Sequence, residues 1–200
     1  MTKRVPRRAW QRMLSGRRLD LLDPSPLDIE IVDIAHGLAR VARWNGQTRG
    51  PHPFSVAQHS LLVERILRHL DEATDPSICL AALLHDAPEY VIGDVISPFK
   101  AIIGEAYRGV EDRLTEAIHL RYGLPPRLPG PQKAIIKRAD TIAAYYEATE
   151  LADFSPAEAR RYFGDPQVDG SAILPDLSPM PVTDAQSLFL ERFRAIESTL

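Results

Sequence analysis

The chain has 200 residues, 44% of them hydrophobic, 26% charged, and a net charge of −3, which suffices for one full hydrophobic core and demands no second domain. Its longest uninterrupted apolar stretch, Ile78 to Leu84, is far too short to span a bilayer, so no membrane segment is expected. Cys79 lies inside that stretch with no second cysteine to pair with; it reads as a small core residue and fits a reducing, cytoplasmic setting.

Positive charge concentrates at the start, where Lys3, Arg4, Arg7, Arg8, Arg12, Arg17 and Arg18 all precede the first acid, Asp20. A solvated basic face on an N-terminal helix is the leading reading of residues 1–18; an anion or partner patch ranks second and a transit peptide third. No apolar signal-peptide core follows the arginines, which argues against secretion by that route. Between Leu19 and Ile34, Pro24 and Pro26 break any helix and predict a loop or a short extended hairpin. A helix is then expected from Asp28 or Ile31 to Arg43.

The stretch from Gly46 to Phe54 carries two glycines and two prolines, after which Ser55 suits the N-cap of a helix through Val56, Leu62, Val63, Ile66, Leu67 and Leu70. His59 falls on its first turns. Pro76 suits the first position of an almost wholly apolar helix through Leu84, which Pro88 ends or kinks. From Pro98 to Tyr122, apolar residues at 102, 103, 106, 107, 110, 114, 117 and 118 keep a 3.6-residue period until Gly123, Pro125 and Pro126 stop it. Residues 131–153 predict another helix, with Ile135, Ile136, Ala139, Ile142, Ala143 and Tyr146 inward, and 184–198 a last one. The Pro-, Gly- and Asp-rich 164–183 reads as a surface loop. The sum is an all-α bundle, one domain over 1–200, with room for one short strand pair near the N-terminus.

His85 and Asp86 stand side by side at the edge of the apolar helix, and neighbouring helical positions, about 100° apart, can still converge on one ion beside the helix. Imidazoles and carboxylates around a divalent ion activate water and hold phosphate, which narrows the chemistry to metal-assisted hydrolysis. Glu89 follows on the same face if helical geometry survives Pro88, and is the first choice for proton transfer. Asp94, after Gly93 in a turn, could swing a second carboxylate inward, and Lys100 lies close enough to bind phosphate. On the later helix Lys137, Asp140 and Glu147 share a face. Taken singly, each of these residues is more often solvated or packed than functional. His36, His69 and His119 lack matching neighbours and are given no role, and His52, in a Pro-rich loop, is a weak phosphate candidate.

Read together, Ser55-Val56-Ala57-Gln58-His59-Ser60, Leu84-His85-Asp86-Ala87-Pro88-Glu89, Gly93-Asp94 and Lys137-Arg138-Ala139-Asp140 resemble the HD superfamily of metal-dependent phosphohydrolases. Within it the likeness is to bacterial 5′-deoxynucleotidases and their relatives, and covers Ile31 to Glu147. The resemblance implies His59, His85, Asp86 and Asp140 as ligands of one divalent metal, Mn, Co, Fe, Mg, Ni or Zn, and Glu89 and Asp94 as the catalytic carboxylates. Arg43-Trp44 looks like the family pair that holds the nucleotide phosphate and sugar, about one residue further from the first metal histidine; the bland alternative for Trp44 is a core aromatic. Arg43, Lys100 and Lys137 are the candidate phosphate clamps. The implied substrate is a small nucleotide, most of all a deoxyribonucleoside 5′-monophosphate, with a triphosphate, a phosphodiester or non-catalytic sensing as alternatives. No nucleic-acid polymer or membrane is expected as a partner, and the family points to a homodimer.

Overall fold

The computed structural model describes residues 9–96, 99, 100, 102 and 104–200. An antiparallel pair opens it, β1 (Trp10–Arg12) on β2 (Arg18–Asp20), with Trp10 opposite Asp20. This is the expected strand pair; over residues 9–18 it stands in place of the predicted basic helix, whose Lys3, Arg4, Arg7 and Arg8 lie outside the described residues, and it begins upstream of the hairpin predicted from Leu19. The turn between the strands shows why: Gly16 sits at φ 89, which no helix passes through, and Ser15 anchors the turn by giving its backbone N–H and its hydroxyl to buried Asp33. The Arg18 guanidinium lies 4.7 Å above the Trp10 ring.

Eight α-helices follow among the described residues, so the all-α expectation is met. The first, α1 (Ile31–Leu38), stops well short of the predicted end at Arg43. The chain must double back there: Ala42 and Ser55 form a bridge, Arg43 N donates to Phe54 O at 2.8 Å, and Val56 N donates to Val41 O at 2.9 Å. The reversal is made by Trp44 (φ 56), Asn45 (φ 50) and Gly46 (φ 73). Two consecutive left-handed non-glycine residues cost roughly 1–3 kcal/mol each, so their surroundings must hold them.

The second helix, α2 (Val56–Leu70), begins as predicted, with the Ser55 hydroxyl accepting from Gln58 N. It lies against α3 (Pro76–Leu83) and α6 (Gly130–Glu150), and Leu62, Ile66 and Leu67 share one buried core with Leu80 and Leu83. Each such side chain, fully buried, contributes about 1.5–3 kcal/mol. Asp75 caps α3 and Pro76 opens it, so an apolar helix enters the core, with Cys79 buried as expected. A short α4 (Glu89–Ile92) follows and packs on α1.

Helix α5 (Glu105–Arg121) starts after Gly104, at φ 69; the predicted start, Pro98, lies outside the described residues, and Phe99, Lys100 and Ile102 beyond it are also helical. Leu114, Ala117 and Ile118 face the core as predicted, whereas Ile102 and Ala106 face solvent. Sequence reasoning left α7 (Pro156–Phe163) unassigned, although Ser155 and Glu158 form a complete capping box with Pro156 at the first position. The predicted surface loop at 164–183 is instead partly internal: short turns at Gly170–Ala172 and Leu174–Leu177 bury Ile173 and Leu177. Helix α8 (Val182–Glu197) completes the chain, and its Arg192 forks onto the buried Glu64 of α2. Gln58 exchanges hydrogen bonds with Ser178 O and Met180 N, and Arg65 pairs with Asp176. No helix among the described residues is long and apolar enough to cross a membrane.

Candidate metal centre

Helix α3 runs out at Leu83, and residues 84–88 form a turn before α4, so His85 and Asp86 sit in that turn and not on a helix as supposed. The turn keeps one link to the helix: His85 Nδ1 donates to Ala82 O at 2.8 Å. A carbonyl can only accept, so the proton is on Nδ1 and the lone pair of Nε2 faces inward. His59, fully buried on the first turn of α2, is fixed in the same way, its Nδ1–H donating to Glu147 Oε1 at 2.5 Å. Among the described residues neither inward Nε2 has a hydrogen-bond partner, though both are buried.

Two carboxylates face those nitrogens. Asp86 Oδ2 lies 3.4 Å from His59 Nε2 and 3.3 Å from His85 Nε2. Asp140 Oδ1, from α6, lies 3.3 Å from His59 Nε2 and 4.0 Å from His85 Nε2. Neighbouring ligands of an octahedral ion with bonds near 2.1 Å stand about 3 Å apart, so this cluster has the spacing of a coordination shell. His59, His85 and Asp140 offer donor atoms all within 4.8 Å of one another. Electrostatics agree: burial and Arg43 both oppose a charge on His59, yet Glu147, Asp140 and Asp86 outweigh them and hold its pKa well above the ordinary value. Burial likewise works against ionised Asp86 and Asp140, but the imidazoles win and hold both pKa values down. The pocket therefore attracts positive charge to the point where the four residues meet, and N and O donors without thiolate suit a hard or borderline divalent cation.

The predicted proton-transfer groups flank this cluster. Glu89 is buried, and burial, followed by Asp86 and Asp94, pushes its carboxyl up to about 9. Its Oε2 has no hydrogen-bond partner among the described residues, while Lys100 Nζ lies 3.5 Å from Oε1 and 3.0 Å from Glu111. Asp94 is paired with Arg43, Nη1 to Oδ2 at 3.1 Å. Arg43 also donates from Nε to Glu147 Oε2 at 3.2 Å, and the two carboxylates hold it protonated. Trp44 packs its ring 5.6 Å from Phe154 and 6.1 Å from Phe163, as the alternative of a packed aromatic had it, and its indole N–H donates to Glu147 Oε2 at 2.9 Å.

An open cavity of about 720 Å³ leads to the centre, lined by His85, Asp86, Glu89, Asp140 and by residues of α5 and α6. Lys137 stands at its edge, 74% exposed, with Nζ 2.6 Å from Asp140 Oδ2. All ten candidate residues are thus drawn to one region, Lys137 the most loosely. His119, given no role, is a packed histidine whose Nδ1 donates to Pro125 O. The residue that sequence reasoning undervalued is Glu147, noted only as sharing a face with Asp140. It is wholly buried, and the signal available was its spacing of two helical turns from Asp140.

Two histidines and two aspartates converging inside an all-α bundle, with one His-Asp dipeptide supplying half of the set, define an HD-domain protein. The family described as 5′-deoxynucleotidase YfbR-like matches residues 32–162, and the chain belongs to that family. It is 56% identical over 197 residues to an uncharacterized protein of Rhodobacter capsulatus, covering 97% of this chain and 98% of that one. It is 29% identical over 177 residues to the uncharacterized protein YfdR of Escherichia coli, covering 83% of each.

Proposed function

We propose that the protein is a metal-dependent phosphohydrolase that cleaves the phosphate monoester of a nucleotide, most of all a deoxyribonucleoside 5′-monophosphate. The observation that carries the reading is the pair of buried imidazole nitrogens, each with its proton held on the far side, facing two carboxylates at the end of an open cavity. The family description names the same chemistry.

His59, His85, Asp86 and Asp140 would hold the cation. When bound, it supplies a Lewis acid that neutralises phosphoryl oxygen charge and brings the pKa of water toward ~7. The remaining roles belong to the side chains. Arg43 is fixed by Glu147 and Asp94 through Nε and Nη1, which leaves its other N–H donors for a phosphate oxygen. Trp44, locked by its indole bond and two aromatic neighbours, borders the sugar. Glu89, whose carboxyl is pushed up by burial in the metal-free protein, is the group placed to protonate a departing sugar oxygen. Asp94 orients Arg43, and Lys100 and Lys137 add positive charge on either side.

The test is turnover of a nucleotide panel with several divalent metals and a chelator control, reading phosphate, pyrophosphate and triphosphate separately. Metal-dependent phosphate release from deoxynucleoside monophosphates is expected. Triphosphate release would assign a triphosphohydrolase instead, and binding without turnover a sensor.

A further inference from the structure

Glu147 lies outside the ring of donors yet touches three of the groups assigned above. Its Oε1 accepts from His59 Nδ1 at 2.5 Å, and its Oε2 accepts from Trp44 Nε1 at 2.9 Å and Arg43 Nε at 3.2 Å. It is fully buried, so water does not replace a lost donor cheaply. The segment it grips is one the backbone disfavours, with Trp44 and Asn45 both left-handed, and that segment is tied by its backbone to the start of the helix that carries His59.

We infer that Glu147 is a positioning residue that couples the cation to the Arg43-Trp44 pair, one oxygen aiming a metal ligand and the other aiming the groups that face phosphate and sugar. The inference rests on the metal reading above. A carboxylate on the outer N–H of a ligating imidazole fixes its tautomer and raises its basicity. Here the second oxygen of that carboxylate is held by the substrate-side pair, so a change at Trp44, which touches no donor of the cluster, reaches the cation through Glu147. Thermodynamic linkage makes the effect mutual: filling the metal site steadies the pair, and a correctly set pair tightens the metal.

The experiment titrates Co(II) alone into the full chain, metal-stripped, and follows calorimetric affinity and the visible d–d absorption. Glu147→Gln offers one acceptor oxygen and an amide N–H₂ where two acceptors are needed; it should weaken Co(II) binding about 10–100-fold and shift the band. Trp44→Phe keeps the ring but removes its N–H, and should weaken binding by about 2–10-fold and alter the band. The double variant should bind no more weakly than Glu147→Gln. Wild-type affinity and band in Trp44→Phe overturn the inference, as do effects that simply multiply in the double variant. If Glu147→Gln does not fold, Trp44→Phe decides alone. No nucleotide is present, so a chain that binds Co(II) with this coupling but hydrolyses no nucleotide overturns the phosphohydrolase reading and leaves the coupling standing.

Discussion

Gly37 of α1 sits so close to Tyr90 of α4 that an added β-carbon would lie 2.7 Å from both the Tyr90 β-carbon and its carbonyl oxygen. A backbone oxygen cannot swing aside as a flexible side-chain tip can, and α4 also carries Glu89, so this contact sets how deeply that carboxyl enters the cavity. Gly37→Ala should cost roughly 1–3 kcal/mol of stability and slow turnover while leaving the metal bound. Thermal unfolding and metal content check it; a variant as stable and active as wild type would show that α4 moves freely.

The donors and the proton-transfer group should separate by mutation. Asp86→Ala is expected to lose metal and activity together, its affinity falling more than about 100-fold, beyond what an outer partner of a ligand supplies. Glu89→Gln should keep the metal and lose about 10²–10⁴ in rate. Metal analysis beside single-turnover kinetics distinguishes the two, and full metal-dependent turnover in Asp86→Ala would break the ligand assignment.

Glu89 also predicts a pH dependence of stability in the metal-free protein. Its carboxyl titrates near 9 when folded, against an unperturbed value of 4.5, so between those limits the folded chain holds a proton that the unfolded chain has released. Stability from this group is complete below 4.5 and is lost as pH rises, by up to about 1.4 kcal/mol per pH unit. Glu89→Gln should flatten that slope, making the variant more stable than wild type at pH 8 and no different at pH 4. Denaturant unfolding with chelator present measures it, and parallel slopes would refute it.

Arg43 is largely buried between Glu147 and Asp94, so its removal takes from Asp94 its guanidinium partner and leaves the buried Glu147 charge with only Trp44 and His59 against it. Arg43→Ala should destabilise the protein by about 3–5 kcal/mol as well as weakening nucleotide binding. Urea unfolding without ligand isolates the first effect; a loss under 1 kcal/mol would mean that water enters and solvates both acids.

Much of this was legible in the sequence, and the failures have a common cause. His59, Asp140 and their helices were found because a 3.6-residue apolar period and the Ser55 cap are local signals. Helix ends decided by distant partners were not. The stop of α1 at Leu38 depends on a bridge to Ser55 and on left-handed Trp44 and Asn45, neither of which is a glycine. The burial of Glu147 was equally hidden, since its three partners come from two other parts of the chain. The capping box of α7, by contrast, was written in Ser155-Pro156-Ala157-Glu158 and was passed over.

The last stretch of the chain supplies none of the ten candidate residues, yet it clamps the outer side of α2 at Gln58, Arg65 and Glu64 through Ser178, Met180, Asp176 and Arg192. His59 projects from that same helix. Damage to the tail would therefore masquerade as a chemical lesion: a clipped or mutated C-terminus slackens the rod on which an imidazole is mounted and surfaces as poor cation retention, with every participant in the chemistry still intact.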